Sequence, residues 1–121
     1  MPGSPEPDRS AVLAAERERT GEQVEQLSVE MARVVAASES SNADDEHDPE
    51  GSTIAFERAQ LAAVLDAARG RLSEIDAALE RLAEGADDVC ERCGQPIGAD
   101  RLAARPTARL CITCARDQHR A

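Results

Sequence analysis

The sequence predicts an all-α fold: a long antiparallel coiled-coil hairpin with a small four-cysteine finger at its C-terminal end. Three observations predict it. Two long stretches carry apolar residues at alternating spacings of three and four, a polar segment lies between them, and the only four cysteines among 121 residues stand as two Cys-x-x-Cys pairs. Composition points the same way, because one aromatic residue, Phe56, with no tryptophan or tyrosine and much alanine, suits packed helices better than a globular core.

Residues 1–8 contain three prolines and a glycine and are expected to be disordered. The hairpin is assigned to residues 9–86. Its first helix is capped by Asp8 or Ser10 and runs to about Ser38, interrupted only by Gly21, an interior glycine that costs roughly 1 kcal/mol against alanine. Leu13, Thr20, Leu27 and Val34 share one heptad position, Val24 and Met31 occupy the other, and Arg17 breaks the series. Glu16, Glu18, Glu22, Glu25 and Glu30 fall on outer positions, within reach of Arg17, Arg19 and Arg33.

Periodicity is lost over residues 39–52, which form the acidic tip loop of the hairpin. Asp48 is a good N-cap for the second helix, since Pro49 then takes the first helical position, where its missing N–H is not needed. Gly51 softens that turn and can delay the regular helix to Thr53. Beyond it the seam reads Ile54, Arg58, Leu61, Leu65, Ala68, Leu72, Ile75, Leu79, Leu82, with Arg58 the one polar member. Two seams of similar length joined by a short polar loop fold back on each other, in preference to an intermolecular coiled coil, and Gly85-Ala86-Asp87-Asp88 ends the second helix. Phe56 lies two residues from the seam position Ile54, placed either to flank the hairpin or to be exposed to a partner.

Residues 87–121 are the finger domain with a C-terminal helix. Two residues between cysteines let both thiolates of a pair face one ion, so Cys90, Cys93, Cys111 and Cys114 are read as the ligands of one structural Zn2+. Gly94 frees the backbone after the first pair, and Leu102, Leu110, Ile112 and Ile97 are expected to form an apolar lid over the metal. A thiol-redox enzyme would need an accessible low-pKa cysteine in a thioredoxin-like sheet, and no strand pattern supports one.

Charge separates the two parts. Residues 90–121 carry six arginines against three acids, whereas the remainder accounts for a charge of −13 within the net −10. So acidic a body is repelled by a phosphate backbone, which disfavours direct sequence-specific DNA binding and favours a protein partner. There is no run of 18 apolar residues and no basic or apolar leader at the N-terminus, so no membrane association is expected and a cytoplasmic location is.

The finger residues, Cys90-Glu-Arg-Cys-Gly-Gln-Pro-Ile-Gly98 and Arg101-Leu-Ala-Ala-Arg-Pro-Thr-Ala-Arg-Leu-Cys-Ile-Thr-Cys114, resemble the DksA/TraR family of bacterial RNA polymerase regulators, most specifically at Ala104–Thr107. That resemblance implies a non-enzymatic regulator whose coiled coil enters the secondary channel of RNA polymerase and alters promoter complexes. The family's tip pattern, Asp-x-x-Asp-x-Ala, is similar to Asp45, Asp48 and Glu50, with glutamate in place of alanine. Arg105 looks like one of the basic positions used by members that cooperate with guanosine tetraphosphate. Ala115 replaces a lysine of those members, and their basic position on the second helix falls near Glu74, so cooperation with the nucleotide is not expected here. Arg101, Arg105 and Arg109 are the candidate partner-facing residues of the finger. The expectation is a monomeric transcription regulator that binds RNA polymerase; the alternative is a structural or scaffold coiled-coil zinc protein with another protein partner.

Overall fold

The computed structural model describes residues 8–41 and 49–118, with side chains at 8–39 and 53–118. Four helices follow in order: α1 (Arg9–Ser41), α2 (Pro49–Glu84), α3 (Ala99–Ala104) and α4 (Ile112–Gln118). Among the described residues no strand forms, and a single antiparallel bridge joins Val89 to Pro96. The all-α hairpin with a C-terminal four-cysteine finger is the fold observed.

Helix boundaries differ from the sequence expectation at the tip. α1 runs three residues past Ser38 to Ser41, and α2 starts at Pro49, inside the 39–52 interval assigned to the loop. Proline at the first helical position lacks only an N–H that would have no intrahelical partner, so Gly51 does not delay the helix to Thr53. The seven residues 42–48, with Asp45 and Asp48, lie outside the described residues, as does the side chain of Glu50. Residues 1–7 lie outside them too.

The chain divides into two compact units, one comprising α1 up to Glu18 and everything from Ser73 onward, the other running from Arg19 to Leu72. In the first, Asp8 caps α1: its carboxylate accepts from the Ser10 N–H and hydroxyl, each at 3.2 Å, and its carbonyl accepts from the Val12 N–H at 3.0 Å. Leu13 is completely buried against Ile75 and Ala78, with Leu79 and Leu82 alongside. Arg17, the polar interruption of the heptad, is half exposed and pairs with Asp76 on the facing helix. α2 ends in a Schellman motif: Gly85 takes φ 75°, the Ala86 N–H reaches the Arg81 carbonyl at 2.9 Å and the Gly85 N–H reaches Leu82 at 3.1 Å.

In the second unit the seam is legible residue by residue. Thr20, Val24, Leu27, Met31 and Val34 on α1 and Ile54, Leu61 and Leu72 on α2 are half-buried, Leu65 and Ala68 are buried, and Arg58 is exposed. Arg71 donates to the Gln23 side-chain carbonyl at 2.9 Å across the pair. Phe56 is 64% exposed, so the only aromatic ring of the chain takes no part in the core. No described helix is long and apolar enough to cross a membrane.

Candidate metal centre

The finger begins where the Schellman turn releases the chain. Residues 88–97 fold into a small hairpin closed by Ile97 N–H to Asp88 O and Cys90 N–H to Gln95 O, both 2.8 Å. At its tip the Gly94 N–H returns to the Cys90 carbonyl at 3.0 Å, and Gly94 takes φ 76°, a conformation that a side chain would strain. This turn faces Cys90 and Cys93 the same way. The second pair uses a helix start: Cys111 precedes α4 and its carbonyl accepts from the Ala115 N–H at 2.9 Å, so Cys111 and Cys114 share a face three residues apart. A bond from Glu91 N–H to Arg109 O at 3.0 Å stitches the two knuckles together.

The four sulfurs converge. Their Sγ atoms all lie within 4.8 Å of one another, and those of Cys93 and Cys111 are 3.8 Å apart. A tetrahedral zinc with Zn–S bonds of about 2.3 Å requires sulfurs about 3.8 Å apart, so the donor set fits that ion in number, chemistry and spacing. Cys90 and Cys114 are buried, Cys111 is partly covered, and Cys93 is exposed. Cys90, Ile97, Leu102, Ala108 and Cys114 form the finger's core, with Leu110 packed against it. Ile112 is not part of the lid that the sequence suggested: it is 48% exposed. One residue beyond Cys111 on a helical turn, it is rotated about 100° away from the face that the cysteines define.

The thiols are not equivalent. N–H groups of Cys111, Cys93 and Arg92 point at Cys90 Sγ and, against the effect of burial, lower its pKa from 9.0 to about 6. Burial and then the neighbouring sulfurs of Cys111, Cys93 and Cys90 push the Cys114 thiol up to about 12. Cys90 is therefore the readier thiolate of the two, while Cys114 must give up a proton to solvent to ligate a cation.

Residues 85–120 match the prokaryotic dksA/traR C4-type zinc finger. The structure of transcription factor DksA2 from Pseudomonas aeruginosa superposes with a TM-score of 0.75 at 28% identity, over 93% of this chain and 81% of that one. The finger is of the DksA/TraR kind, and the described fold is like that of DksA2. Similar proteins include the RNA polymerase-binding transcription factor DksA of Caulobacter vibrioides, 44% identical over 54 residues, and general stress protein 16O of Bacillus subtilis, 31% identical over 106. These alignments take in 45% and 88% of this chain but 37% and 63% of the relatives, so the chain spans less than two thirds of the length of either.

The DksA/TraR finger surface carries the three arginines singled out from sequence, in different surroundings. Arg105 is exposed. Arg109 is exposed as well and lies 4.0 Å from the Glu91 carboxylate. Arg101 is half-buried and its Nε donates to the Leu110 carbonyl at 2.9 Å, tying α3 to the segment leading into the second knuckle. Two arginines that sequence reasoning passed over are better buried. Arg9 bonds the Asp87 carboxylate at 2.5 Å and the Pro106 carbonyl at 2.6 Å; Arg81 reaches Glu91 at 3.6 Å and the Ala108 carbonyl at 3.4 Å. The partners of Arg9 are 78 and 97 positions away in the chain, and no local pattern announces them.

Proposed function

We propose that this protein is a transcription regulator that binds RNA polymerase and modulates promoter complexes by inserting its acidic tip, residues 39–52, into the secondary channel. The observation that supports this most is the agreement of fold over 93% of the chain with DksA2, together with the C4 finger shared with relatives named for polymerase binding. A chain with an intact finger and two long paired helices has the parts such a role needs.

In this reading Cys90, Cys93, Cys111 and Cys114 hold a single structural zinc ion, which supplies folding free energy that the few apolar residues of the finger cannot. Arg101, Arg105 and Arg109 orient the finger against an acidic patch of the polymerase. Asp45, Asp48 and Glu50 at the tip bring negative charge close to a magnesium centre, where exclusion of water strengthens Coulomb terms severalfold over their value in solvent. Glu50, in place of a small residue, adds bulk and charge at the point of closest approach. Binding, without chemistry on a substrate, is the mode of action, and the protein works as a monomer in the cytoplasm without contacting DNA sequence-specifically.

The test is sedimentation of the zinc-loaded protein with core RNA polymerase. Co-sedimentation with near-stoichiometric occupancy at micromolar concentrations is expected. Failure to associate, with recovery of some other protein partner, would favour a scaffold role instead.

A further inference from the structure

The segment Arg105-Pro106-Thr107-Ala108-Arg109, between α3 and the second knuckle, has no helix or strand to fix it. Its own backbone supplies one turn, the Ala108 N–H donating to the Arg105 carbonyl at 3.0 Å. The rest of its order comes from outside. The Pro106 carbonyl accepts from Arg9 Nη2 at 2.6 Å, the Ala108 carbonyl from Arg81 Nη2 at 3.4 Å and the Arg109 carbonyl from the Glu91 N–H at 3.0 Å.

The two guanidiniums come from the two helices of the hairpin, Arg9 from the first position of α1 and Arg81 from the last turn of α2. Their side chains are only 16% and 11% exposed. Burying a cation is unfavourable unless its donors are paired; here the terminal nitrogens are shared between an acid and the loop, while the buried Nε of each guanidinium has no hydrogen-bond partner. Arg9 uses one terminal nitrogen for Asp87 and the other for Pro106; Arg81 likewise divides its two between Glu91 and Ala108. A planar fork with donors on both arms spans two such acceptors in fixed geometry, which an ammonium cannot do. The side chains that the loop presents outward are Arg105 and Arg109, both exposed.

We infer that Arg9 and Arg81 are positioning residues: they hold the Arg105–Arg109 loop in one conformation so that Arg105 and Arg109 meet the polymerase already ordered. The partner's part in this rests on the function proposed above. A loop ordered beforehand loses less entropy on association, so its anchors contribute to affinity without touching the partner.

Arg9→Gln and Arg9→Lys, prepared in the zinc-loaded full chain, test it through two readouts. Hydrogen exchange of the Ala108 amide is expected to accelerate about tenfold or more in both variants, with zinc content and helical signal unchanged. Affinity for core polymerase is expected to fall about tenfold in Arg9→Gln and in an Arg105→Ala/Arg109→Ala variant, and no further when the three changes are combined, since Arg9 acts through the loop. Unaltered Ala108 exchange, or loss of zinc in both Arg9 variants, would overturn the positioning role. Additive losses would overturn the route through the loop. Unchanged affinity in the Arg105→Ala/Arg109→Ala variant would overturn the polymerase reading of this surface, while the exchange result would still decide whether Arg9 orders it.

Discussion

Leu13 has no accessible surface, and it touches α2 at Ile75 and Ala78. Truncating a wholly buried leucine removes its transfer energy and leaves a cavity that two packed helices close only in part. Leu13→Ala is expected to cost roughly 2–5 kcal/mol in chemical denaturation, whereas Val29→Ala, at a site 53% exposed, is expected to change stability little. Leu13 was legible in the sequence because it heads a heptad series. Its neighbour in that series was only half legible: Arg17 reads as a break, but its pairing with Asp76 needs the register of the two helices, which a single sequence does not contain. The same holds for Arg9 and Arg81, whose roles depend on carbonyls of a distant loop.

At the scale of elements, the glycines separate into two kinds. Gly85, Gly94 and Gly98 have positive φ and mark the end of α2, the first knuckle and the entry to α3. Gly70 lies inside α2, and a Cβ placed there would meet nothing within 4 Å. Backbone entropy is then the dominant difference, and Gly70→Ala is expected to stabilise the protein by about 1 kcal/mol, seen as a raised thermal midpoint. A decrease would show that α2 needs freedom at that position. The long helices were legible because a three-four spacing sustained over many turns has one structural solution. Their ends at the tip were less so, since the Ser-Glu-Ser-Ser run neither continues nor breaks a helix decisively, and α1 takes it up as far as Ser41. Ile112 was misplaced for another reason: apolar character says that a residue can be buried, but the helical rotation imposed by Cys111 and Cys114 decides which way it faces.

For the whole molecule, the finger and the hairpin depend on different sources of stability. The helices pack apolar seams, while the finger core contains two of its own metal-ligand candidates, Cys90 and Cys114, so removing the ion also empties the centre around which Ile97, Leu102 and Ala108 pack. Chelation is expected to unfold the finger and leave much of the helical signal; full retention of finger structure without metal would contradict this. Acid acts at the same place. Cys114, pushed up to about 12, already holds a proton in competition with zinc at neutral pH, and below about 6 the Cys90 thiolate is lost as well, so one more proton competes there. Zinc release followed with a chromophoric chelator should rise as pH falls and more steeply below about 6; retention independent of pH would count against ligation by the thiolates. The four-cysteine centre was the most legible part of the chain, because ligand type and spacing are local. The tip was legible only as a pattern of charge, with Asp45 and Asp48 outside the described residues.

In the proposed function the finger anchors the protein while the acidic tip regulates. The lifetime of competitor-resistant promoter complexes, measured with the wild-type chain and with an Asp45→Asn/Asp48→Asn variant at saturating occupancy of the polymerase, tests it most directly. The wild-type protein should change that lifetime, and the variant should bind with similar affinity yet leave it as it is without the protein. A variant that binds and regulates like the wild type would contradict the account.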